Sequence, residues 1–232
     1  SEALSELQNL DKAKSQFMIL INHELKTPLT SIISFSSLLK ETVLSEEQNL
    51  FTDRIIKSSD KLKKIIDDVL LIVKGEVGSI PVNEDLVDFS LILKNLPSEI
   101  TSNMTTKNQK IVTHFDVAQV HTDYNLISTA IYRAIHNATK FGAAQSDIIL
   151  STIKTENEII ISITNQGANI SESVLNKILK PFQLDENVMN HSVGMGLGLT
   201  ICQTLVKAIK GRLTIRNLTN GVTVEFILPH KL

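Results

Sequence analysis

Apolar residues recur at helical spacing through the first third of the chain. The first stripe consists of Leu10, Phe17, Ile21, Ile32, Phe35 and Leu39. The second consists of Ile55, Leu62, Ile66, Val69 and Val73. Intervals of three and four residues place such positions on one face of an α-helix, so the pattern predicts two amphipathic helices. Between them, Ser45 followed three residues later by Gln48 predicts a capping-box start for the second helix.

Two amphipathic helices cannot bury their stripes in each other completely. Two such hairpins that pair into a four-helix bundle would cover them, so we expect a homodimer. The strongest break in the chain follows, where Gly75, Gly78 and Pro81 lie close together. We therefore assign residues 1–77 to a helical hairpin, 78–84 to a linker and 85–232 to a second domain.

The second domain mixes helical and strand-like patterns. Helical patterns lie near 88–103, 123–141, 171–179 and 197–210. Runs rich in β-branched residues predict strands at 110–117, 147–154, 158–164, 211–217 and 222–228. The run at 159–161 is continuously apolar, as in a strand buried on both sides or covered by helices. These patterns predict an α+β sandwich, a sheet with helices on one face.

The composition is that of an ordinary globular protein, and it limits the classes of partner that the protein is expected to bind. Hydrophobic residues make up 42% and charged residues 21%, with a net charge of −2. This charge gives no general attraction to nucleic acid, so we expect no nucleic-acid partner. The single cysteine, Cys202, excludes an intramolecular disulfide and suits a reducing compartment. The apolar run from Phe17 to Ile21 is far too short to span a bilayer.

His23 is the first candidate catalytic residue. At 100° per residue it falls about 160° from the centre of the first stripe, and Thr27 lies one turn further along the same outer face. A core histidine with satisfied ring nitrogens is the alternative, and this phase argues against it. The neighbouring Glu24 can hold Nδ1–H and leave the Nε2 lone pair facing outward, as a nucleophile requires. Pro28 would bend the helix just past this site.

The segment GMGLGL is the second candidate. Its glycines Gly194, Gly196 and Gly198 allow backbone amides to approach a phosphate, and a helix beginning at Leu199 favours negative charge there. The spacing is neither a Rossmann fingerprint nor a Walker P-loop.

A polar edge of the helix at 123–141 is the third candidate. Arg133, Asn137 and Lys140 share this edge, which in isolation would be taken for a solvated face, and Phe141 in isolation would be taken for a core residue.

These segments together resemble a known family. HELKTPL is similar to the H-box of sensor histidine kinases. RAIHNATKF, TNQGANI, LKPF and GMGLGL resemble the N, G1, F and G2 boxes of their ATP-binding domain, which has the Bergerat or GHKL fold. The resemblance implies ATP-dependent phosphorylation of His23, assisted by Glu24, and transfer to an aspartate of a response-regulator receiver domain. It also allows a phosphatase activity in which Thr27 orients water.

The same resemblance implies which residues meet the nucleotide. Asn137 would coordinate Mg²⁺ and Lys140 would meet the phosphates of ATP. The remaining residues of the implied nucleotide site are Phe141, Asn165, Gly167, Gly194, Gly196, Gly198 and Leu199. Because the chain begins at Ser1 inside a helical pattern, we expect a cytoplasmic fragment of a larger protein with an upstream sensor domain and, in some architectures, a membrane anchor.

Three departures from the family pattern support a second hypothesis. Arg133 stands where the family usually has asparagine, and the G1 aspartate and second glycine are Asn165 and Asn169. The segment between Phe182 and Gly194 also lacks lysine and arginine. The chain could therefore be a nucleotide-deficient relative that binds a receiver domain or acts as a phosphatase. A purely structural dimerisation bundle would leave the G2 glycines unexplained.

Overall fold

The computed structural model describes residues 2–175, 178–179 and 197–230, with side chains described from residue 18 onward. The chain divides into two compact units, Ser1–Ser79 and Ile80–Leu232. Among the helices in the described ranges, none is both long and apolar enough to cross a membrane.

The first unit is a helical hairpin of α1 (Glu2–Lys40) and α2 (Glu46–Glu76). The α2 helix begins with the predicted capping box. The Ser45 hydroxyl accepts a hydrogen bond from the Gln48 backbone N–H at 3.2 Å, and the Gln48 side-chain oxygen accepts one from the Ser45 backbone N–H at 2.9 Å. These reciprocal bonds satisfy N–H groups that have no partner within the helix. The predicted hairpin and the predicted start of α2 are confirmed.

The hairpin buries a face adjacent to the predicted stripe of α1. Its buried positions include Asn22, Leu29, Thr52, Ser59 and Ile66. Ion pairs from α1 to α2 join Lys26 to Asp67, at 2.6 Å, and Lys40 to Asp53. In the single chain, the predicted stripe of α1 is between 37% and 72% exposed at Ile21, Ile32, Phe35 and Leu39. The hairpin therefore presents an apolar surface that its own two helices do not cover.

The second unit begins with small elements and continues into a sheet with helices. Its elements are β1 (Glu84–Asp88), α3 (Phe89–Lys94), α4 (Ser98–Lys107), β2 (Lys110–Phe115), β3 (Gln119–Asp123), α5 (Tyr124–Phe141), β4 (Asp147–Lys154), β5 (Glu158–Asn165), α6 (Glu172–Leu175), α7 (Gly198–Ala208), β6 (Arg212–Leu218) and β7 (Gly221–Pro229).

The main sheet of this unit has five strands in the order β2-β4-β5-β7-β6. Strands β2 and β4 are parallel, and the other neighbours are antiparallel. A separate antiparallel pair joins β1 to β3. Strands β4 and β7 each lie next to β5, so the residue at the end of β5, Asn165, is paired on both sides, with Ile148 and with Val222.

The core lies between one face of this sheet and the helices α5 and α7. The fully buried residues of the sheet include Ile148, Leu150, Ile161, Ile163 and Phe226. Those of the helices include Ile127, Ala130, Ile131, Ile135, Ile201 and Cys202. The α+β sandwich predicted from the sequence is therefore confirmed.

Several predicted elements differ in detail. The pattern at 88–103 forms two helices, α3 and α4, because Pro97 restricts the residue before it to extended conformations and interrupts the helix. Strands β1 and β3 were not predicted. The helix predicted at 171–179 is described only as the short α6. In the run at 159–161, Ile159 and Ile161 are buried and Ile160 is half-buried, so burial alternates there, whereas 161–163 are all buried.

Candidate active site

His23 lies on α1 and is strongly exposed, as the phase of the helix predicted. Its side chain is 78% exposed and that of Glu24 is 72% exposed. Nδ1 of His23 lies 3.7 Å from Oε1 of Glu24, which is an ion-pair distance and longer than a hydrogen bond. The imidazole is therefore accessible to a reacting partner, and a small side-chain rotation would bring the carboxylate into contact with Nδ1–H.

Thr27 lies one turn from His23 on the same exposed side of α1. Its hydroxyl donates to the His23 backbone carbonyl at 3.4 Å, a long hydrogen bond that is easily exchanged for one to water. The helix continues through Pro28, which has no N–H to donate to the carbonyl of Glu24 four residues earlier. The bend expected at Pro28 stays a prediction.

In the second unit, α5 carries the polar edge predicted from the sequence. Asp123 caps the helix: its carboxylate accepts from the backbone N–H of Leu126 at 3.0 Å and from that of Asn83 at 2.7 Å. Arg133, Asn137 and Lys140 are half-buried. The stripe beside them is buried at Ala130, Ile131, Ala134 and Ala138.

Arg133, which replaces the usual asparagine, lies on α5, the helix that packs against α7 and its buried Cys202. Cys202 of α7 is fully buried, and burial raises the pKa of its thiol to about 12. The positive charge of Arg133 on α5 partly opposes this rise in the pKa of Cys202.

Asn137 and Gly198 lie in contact, and this joins the N-box to the G2 box. A Cβ added at Gly198 would lie 3.3 Å from Nδ2 of Asn137 and 3.5 Å from its Oδ1. Gly198 is the first residue of α7, one residue earlier than predicted, and Leu199 is buried. Gly194 and Gly196 lie outside the described residues, as do Phe182 of the F box and the segment that follows it.

The G1 box meets the end of α5 at a second junction. Gly142 and Gly167 form an isolated antiparallel bridge, and the Ala143 N–H donates to the Gln166 carbonyl at 2.8 Å. Gly167 has φ of 146°, and a Cβ there would lie 2.9 Å from the Phe141 carbonyl oxygen. Only glycine fits this position without strain, because the backbone is in the positive-φ region and the two segments approach closely.

Phe141 is exposed at this junction. Considered alone, a phenylalanine would be expected in the core, and this one is not there. Its side chain is 58% exposed. The Lys140 ammonium lies 4.8 Å from the centre of the Phe141 ring, a cation–π arrangement, and burial lowers the pKa of Lys140. An exposed aromatic ring next to a half-buried ammonium suits a ligand with a flat ring and phosphates.

Asn165 and Asn169 both take part in specific hydrogen bonds. Asn165 is 9% exposed, and its Nδ2 donates to the Gln166 carbonyl at 3.2 Å. Oδ1 of Asn169 accepts from the Gly221 N–H at 3.3 Å. The amide at 165 therefore turns its donor toward the backbone and leaves its oxygen as the group for an outside partner.

Two contributing residues were missed by sequence reasoning. Lys107 and Gln109, at the end of α4 and beyond it, donate to backbone carbonyls in the segment 140–143. Each of these hydrogen bonds spans 33 to 35 residues of sequence, and no motif marks the two donor residues. Within the described residues, no group of three or more histidine, cysteine or acidic side chains could hold a metal ion.

Two domain families match consecutive parts of the chain. Residues 13–78 match the His Kinase A (phospho-acceptor) domain, and residues 122–232 match the histidine kinase-, DNA gyrase B-, and HSP90-like ATPase domain. The first match contains His23, and the second contains Asn137, Asn165 and Gly198. The chain therefore belongs to the sensor histidine kinases, as a core with phosphoacceptor and ATPase domains.

Individual relatives agree with this assignment. The chain is 26% identical over 239 residues to the autoinducer 2 sensor kinase/phosphatase LuxQ of Vibrio harveyi, a match that covers 99% of this chain and 28% of LuxQ. It is 25% identical over 223 residues to the sensor protein VanSC of Enterococcus gallinarum, covering 94% of this chain and 62% of VanSC. The chain thus spans less than two thirds of the length of either relative.

Solved structures share the fold. Full-length ShkA in complex with AMPPNP matches with a TM-score of 0.81 at 20% identity, over 94% of this chain and 46% of ShkA. The Acinetobacter baumannii histidine kinase AdeS matches with a TM-score of 0.66 at 17% identity, over 90% of this chain and 98% of AdeS.

Proposed function

We propose that the chain transfers the γ-phosphoryl group of ATP to Nε2 of His23 and then to an aspartate of a response-regulator receiver domain. The observation that carries this proposal is the 78% exposure of His23 next to Glu24, within a phosphoacceptor hairpin that an ATPase domain follows. An exposed imidazole flanked by a carboxylate is a suitable nucleophile, and the adjoining domain family supplies a nucleotide site.

The chemistry at His23 requires the neutral tautomer with its proton on Nδ1. The Nε2 lone pair attacks the γ-phosphorus in line, the bond from that phosphorus to the β–γ bridging oxygen breaks, and ADP leaves. The imidazole becomes more acidic as the P–N bond forms. Glu24 then accepts the Nδ1 proton, after its carboxylate closes the 3.7 Å separation to Nδ1. In the second transfer, Glu24 returns the proton to Nδ1, a receiver carboxylate oxygen attacks the phosphorus, and the P–N bond breaks so that His23 leaves as neutral imidazole.

The nucleotide would lie against the two junctions of the second unit. Phe141 would stack on the adenine, with Asn165 and Gly167 at its edge, and Lys140 would meet the phosphates. Gly198 and Leu199 would direct backbone amides of the α7 start toward them, together with Gly194 and Gly196. The described residues of this set come from α5, from the end of β5 and the segment after it, and from the start of α7.

Asn137 fits a role in binding Mg²⁺. The absence of a Cβ at Gly198 leaves space beside both polar atoms of the Asn137 carboxamide. One amide oxygen, completed by phosphate and water oxygens, suits Mg²⁺, which keeps several waters in such sites. The ion would supply charge neutralisation at the β- and γ-phosphates when bound.

The proposed assembly is a homodimer built from residues 1–77, with 78–84 as the linker and 85–232 as the catalytic domain. The exposed apolar residues of the hairpin support this, because a second hairpin would cover them. They are Leu20, Ile21, Leu25, Ile32, Phe35, Leu38, Leu39, Leu50, Phe51, Ile55 and Leu62. We propose that the core acts in the cytoplasm, downstream of a sensor domain, where ATP and receiver domains are present.

A phosphatase activity toward the phosphorylated receiver is the second candidate function. The exposed Thr27 favours it, because its long hydrogen bond to the His23 carbonyl leaves the hydroxyl available to orient water. If Asn165 and Arg133 prevented ATP binding, this activity and receiver binding would remain as those of a nucleotide-deficient relative.

Incubation of the purified chain with γ-labelled ATP and Mg²⁺ tests the proposal. We expect acid-labile, base-stable label on the native chain and on His114→Gln, an exposed histidine away from the motif, and no label on His23→Gln. Label that persists on His23→Gln would assign the phosphoryl group to another residue. A native chain that binds ATP but takes no label would favour the phosphatase.

A further inference from the structure

The C-terminus of α5 is held by a lysine from another helix. The last carbonyls of a helix have no donors within it, and they carry partial negative charge. Nζ of Lys107, at the end of α4, donates to the Lys140 carbonyl at 2.6 Å and to the Gly142 carbonyl at 3.0 Å. A cation that bridges two such carbonyls forms charge-assisted hydrogen bonds, which are stronger than neutral ones.

Two more bonds tie the same segment to the end of α4. Nε2 of Gln109 donates to the Ala143 carbonyl at 2.8 Å, and the Gln145 N–H donates to the Lys107 carbonyl at 2.8 Å. Gln109 is buried and Lys107 is half-buried. The segment 140–145 is therefore fixed from one side by α4 and by the residues that follow it.

The other side of this segment contacts the G1 box. Gly142 bridges Gly167, and the Ala143 N–H donates to the Gln166 carbonyl. A displacement of Gly142 would therefore displace Gly167 and would change the direction of the neighbouring Phe141 ring. The backbone groups that Lys107 holds are the ones that set the spacing between Phe141 and the G1 box.

We infer that Lys107 is a positioning residue for the nucleotide base: it holds the end of α5 so that Phe141 and Gly167 lie at the separation that an adenine ring requires. This inference rests on the proposed nucleotide site. Both hydrogen bonds of the Lys107 ammonium go to backbone carbonyls, so it would act on the base-binding residues through the segment 140–143. Its removal should affect recognition of the base more than that of the phosphates, because Lys140 lies on this segment but Gly198 and Leu199 lie at the start of α7.

The test compares Lys107→Met, which keeps the aliphatic stem, with Lys107→Gln, which keeps a neutral donor, and Lys107→Arg, which keeps the charge. Lys110→Met is the matched control, since Lys110 is a nearby exposed lysine whose contact with Asp147 is a surface ion pair of 3.8 Å. Hydrogen–deuterium exchange at Gly142 and Ala143 measures, in the ligand-free protein, how firmly this segment is held. Calorimetry then measures affinity for Mg²⁺ with ATP and with tripolyphosphate, which lacks the base.

We expect Lys107→Met to exchange about tenfold faster at Gly142 and Ala143, with unchanged exchange in β4 and β5, because a charge-assisted hydrogen bond corresponds to roughly that factor. Its affinity for ATP should fall about tenfold and its affinity for tripolyphosphate should fall less, because Lys140 lies on the released segment whereas Gly198 and Leu199 do not. Lys107→Gln should be intermediate, and Lys107→Arg and Lys110→Met should match the native chain.

Unchanged exchange in Lys107→Met, or equal losses for ATP and tripolyphosphate, would overturn the inference. A native chain that binds neither ligand would overturn the proposed function and the base-positioning role with it. The exchange comparison distinguishes that result from a failure of Lys107 to hold the segment.

Discussion

Asn165→Asp should raise the affinity for ATP and should lower the unfolding free energy of the nucleotide-free protein. Asn165 ends β5 and is 9% exposed, and its Nδ2 donates to the Gln166 carbonyl at 3.2 Å. Its oxygen is then a neutral acceptor for the adenine exocyclic amine. An aspartate offers a full negative charge to the same amine, so the bound state gains a charge-assisted hydrogen bond.

The size of the expected change in ATP affinity follows from the free energy of a charge-assisted hydrogen bond. Hydrogen bonds to charged groups contribute roughly 1.5–3 kcal/mol, and each 1.4 kcal/mol or so is a factor of ten in affinity. The affinity for ATP should therefore rise by about tenfold to a hundredfold. In the free protein, the carboxylate replaces the donor to Gln166 with an oxygen that faces the carbonyl oxygen. The Gln166 carbonyl keeps its hydrogen bond from the Ala143 N–H and loses the second one, which costs about 0.5–1.5 kcal/mol of unfolding free energy.

Calorimetric titration of ATP·Mg²⁺ and thermal unfolding with and without the nucleotide measure both effects. For a chain of this size the free variant should unfold roughly 2–4 °C lower for each kcal/mol lost, and saturating ATP should recover much of that loss. Asn157→Asp, at an exposed turn position, is the control and should change neither quantity. If the native chain already binds ATP in the low micromolar range and Asn165→Asp binds no more tightly, the charge at this position is irrelevant and the reasoning is refuted.

Other substitutions test the remaining parts of the proposal. Phe35→Asp should convert the dimer to monomers in light scattering with little change in helix content, because Phe35 is 72% exposed in the single chain; Ser34→Asp on another face of α1 should stay dimeric, and a dimeric Phe35→Asp would contradict the bundle. Thr27→Ala should slow dephosphorylation of a cognate receiver at least tenfold and leave phosphorylation of His23 near native, with Thr27→Ser restoring the rate; equal losses would indicate damage to α1. Gly198→Ala should reduce ATP·Mg²⁺ affinity severalfold in calorimetry, because its Cβ would lie 3.3 Å from Nδ2 of Asn137; an unchanged affinity would exclude Asn137 from the site.

Helical periodicity predicted the hairpin and the outward direction of His23, since both depend on local spacing. It also located the apolar stripe of α1. It did not show that the helices pack through Asn22, Leu29, Thr52 and Ser59, next to that stripe. Three of these four side chains are polar, so a search for apolar spacing passes over them. The choice between two adjacent helix faces depends on the partner helix, which local spacing does not describe.

In the second unit, local sequence patterns predicted some elements and missed others. Strands β4 to β7 were predicted because they are long and rich in β-branched residues. Strands β1 and β3 were not, because each has five residues, including aspartates, and the two pair across more than thirty residues of sequence. The contacts of Lys107 with the 140–142 carbonyls are equally remote. Motifs marked the residues that we propose to face the nucleotide, whereas Lys107 and Gln109, which hold the segment 140–143, carry no motif.

The departures in the G1 box differ in their consequences. Asn169, which stands where the family pattern has glycine, accepts from the Gly221 N–H, and Asn217 both accepts from the Ile170 N–H at 2.9 Å and donates to its carbonyl at 2.7 Å. Side-chain amides thus hold the loop after β5 against the β6–β7 turn, so replacing that glycine preserves a defined loop. Asn165 preserves the shape of its position as well, yet it removes a charge from the side that would face the base. We therefore expect the change at 169 to act on loop structure and the change at 165 on nucleotide affinity, so that of these two only the second bears on the choice between an active kinase and a nucleotide-deficient relative.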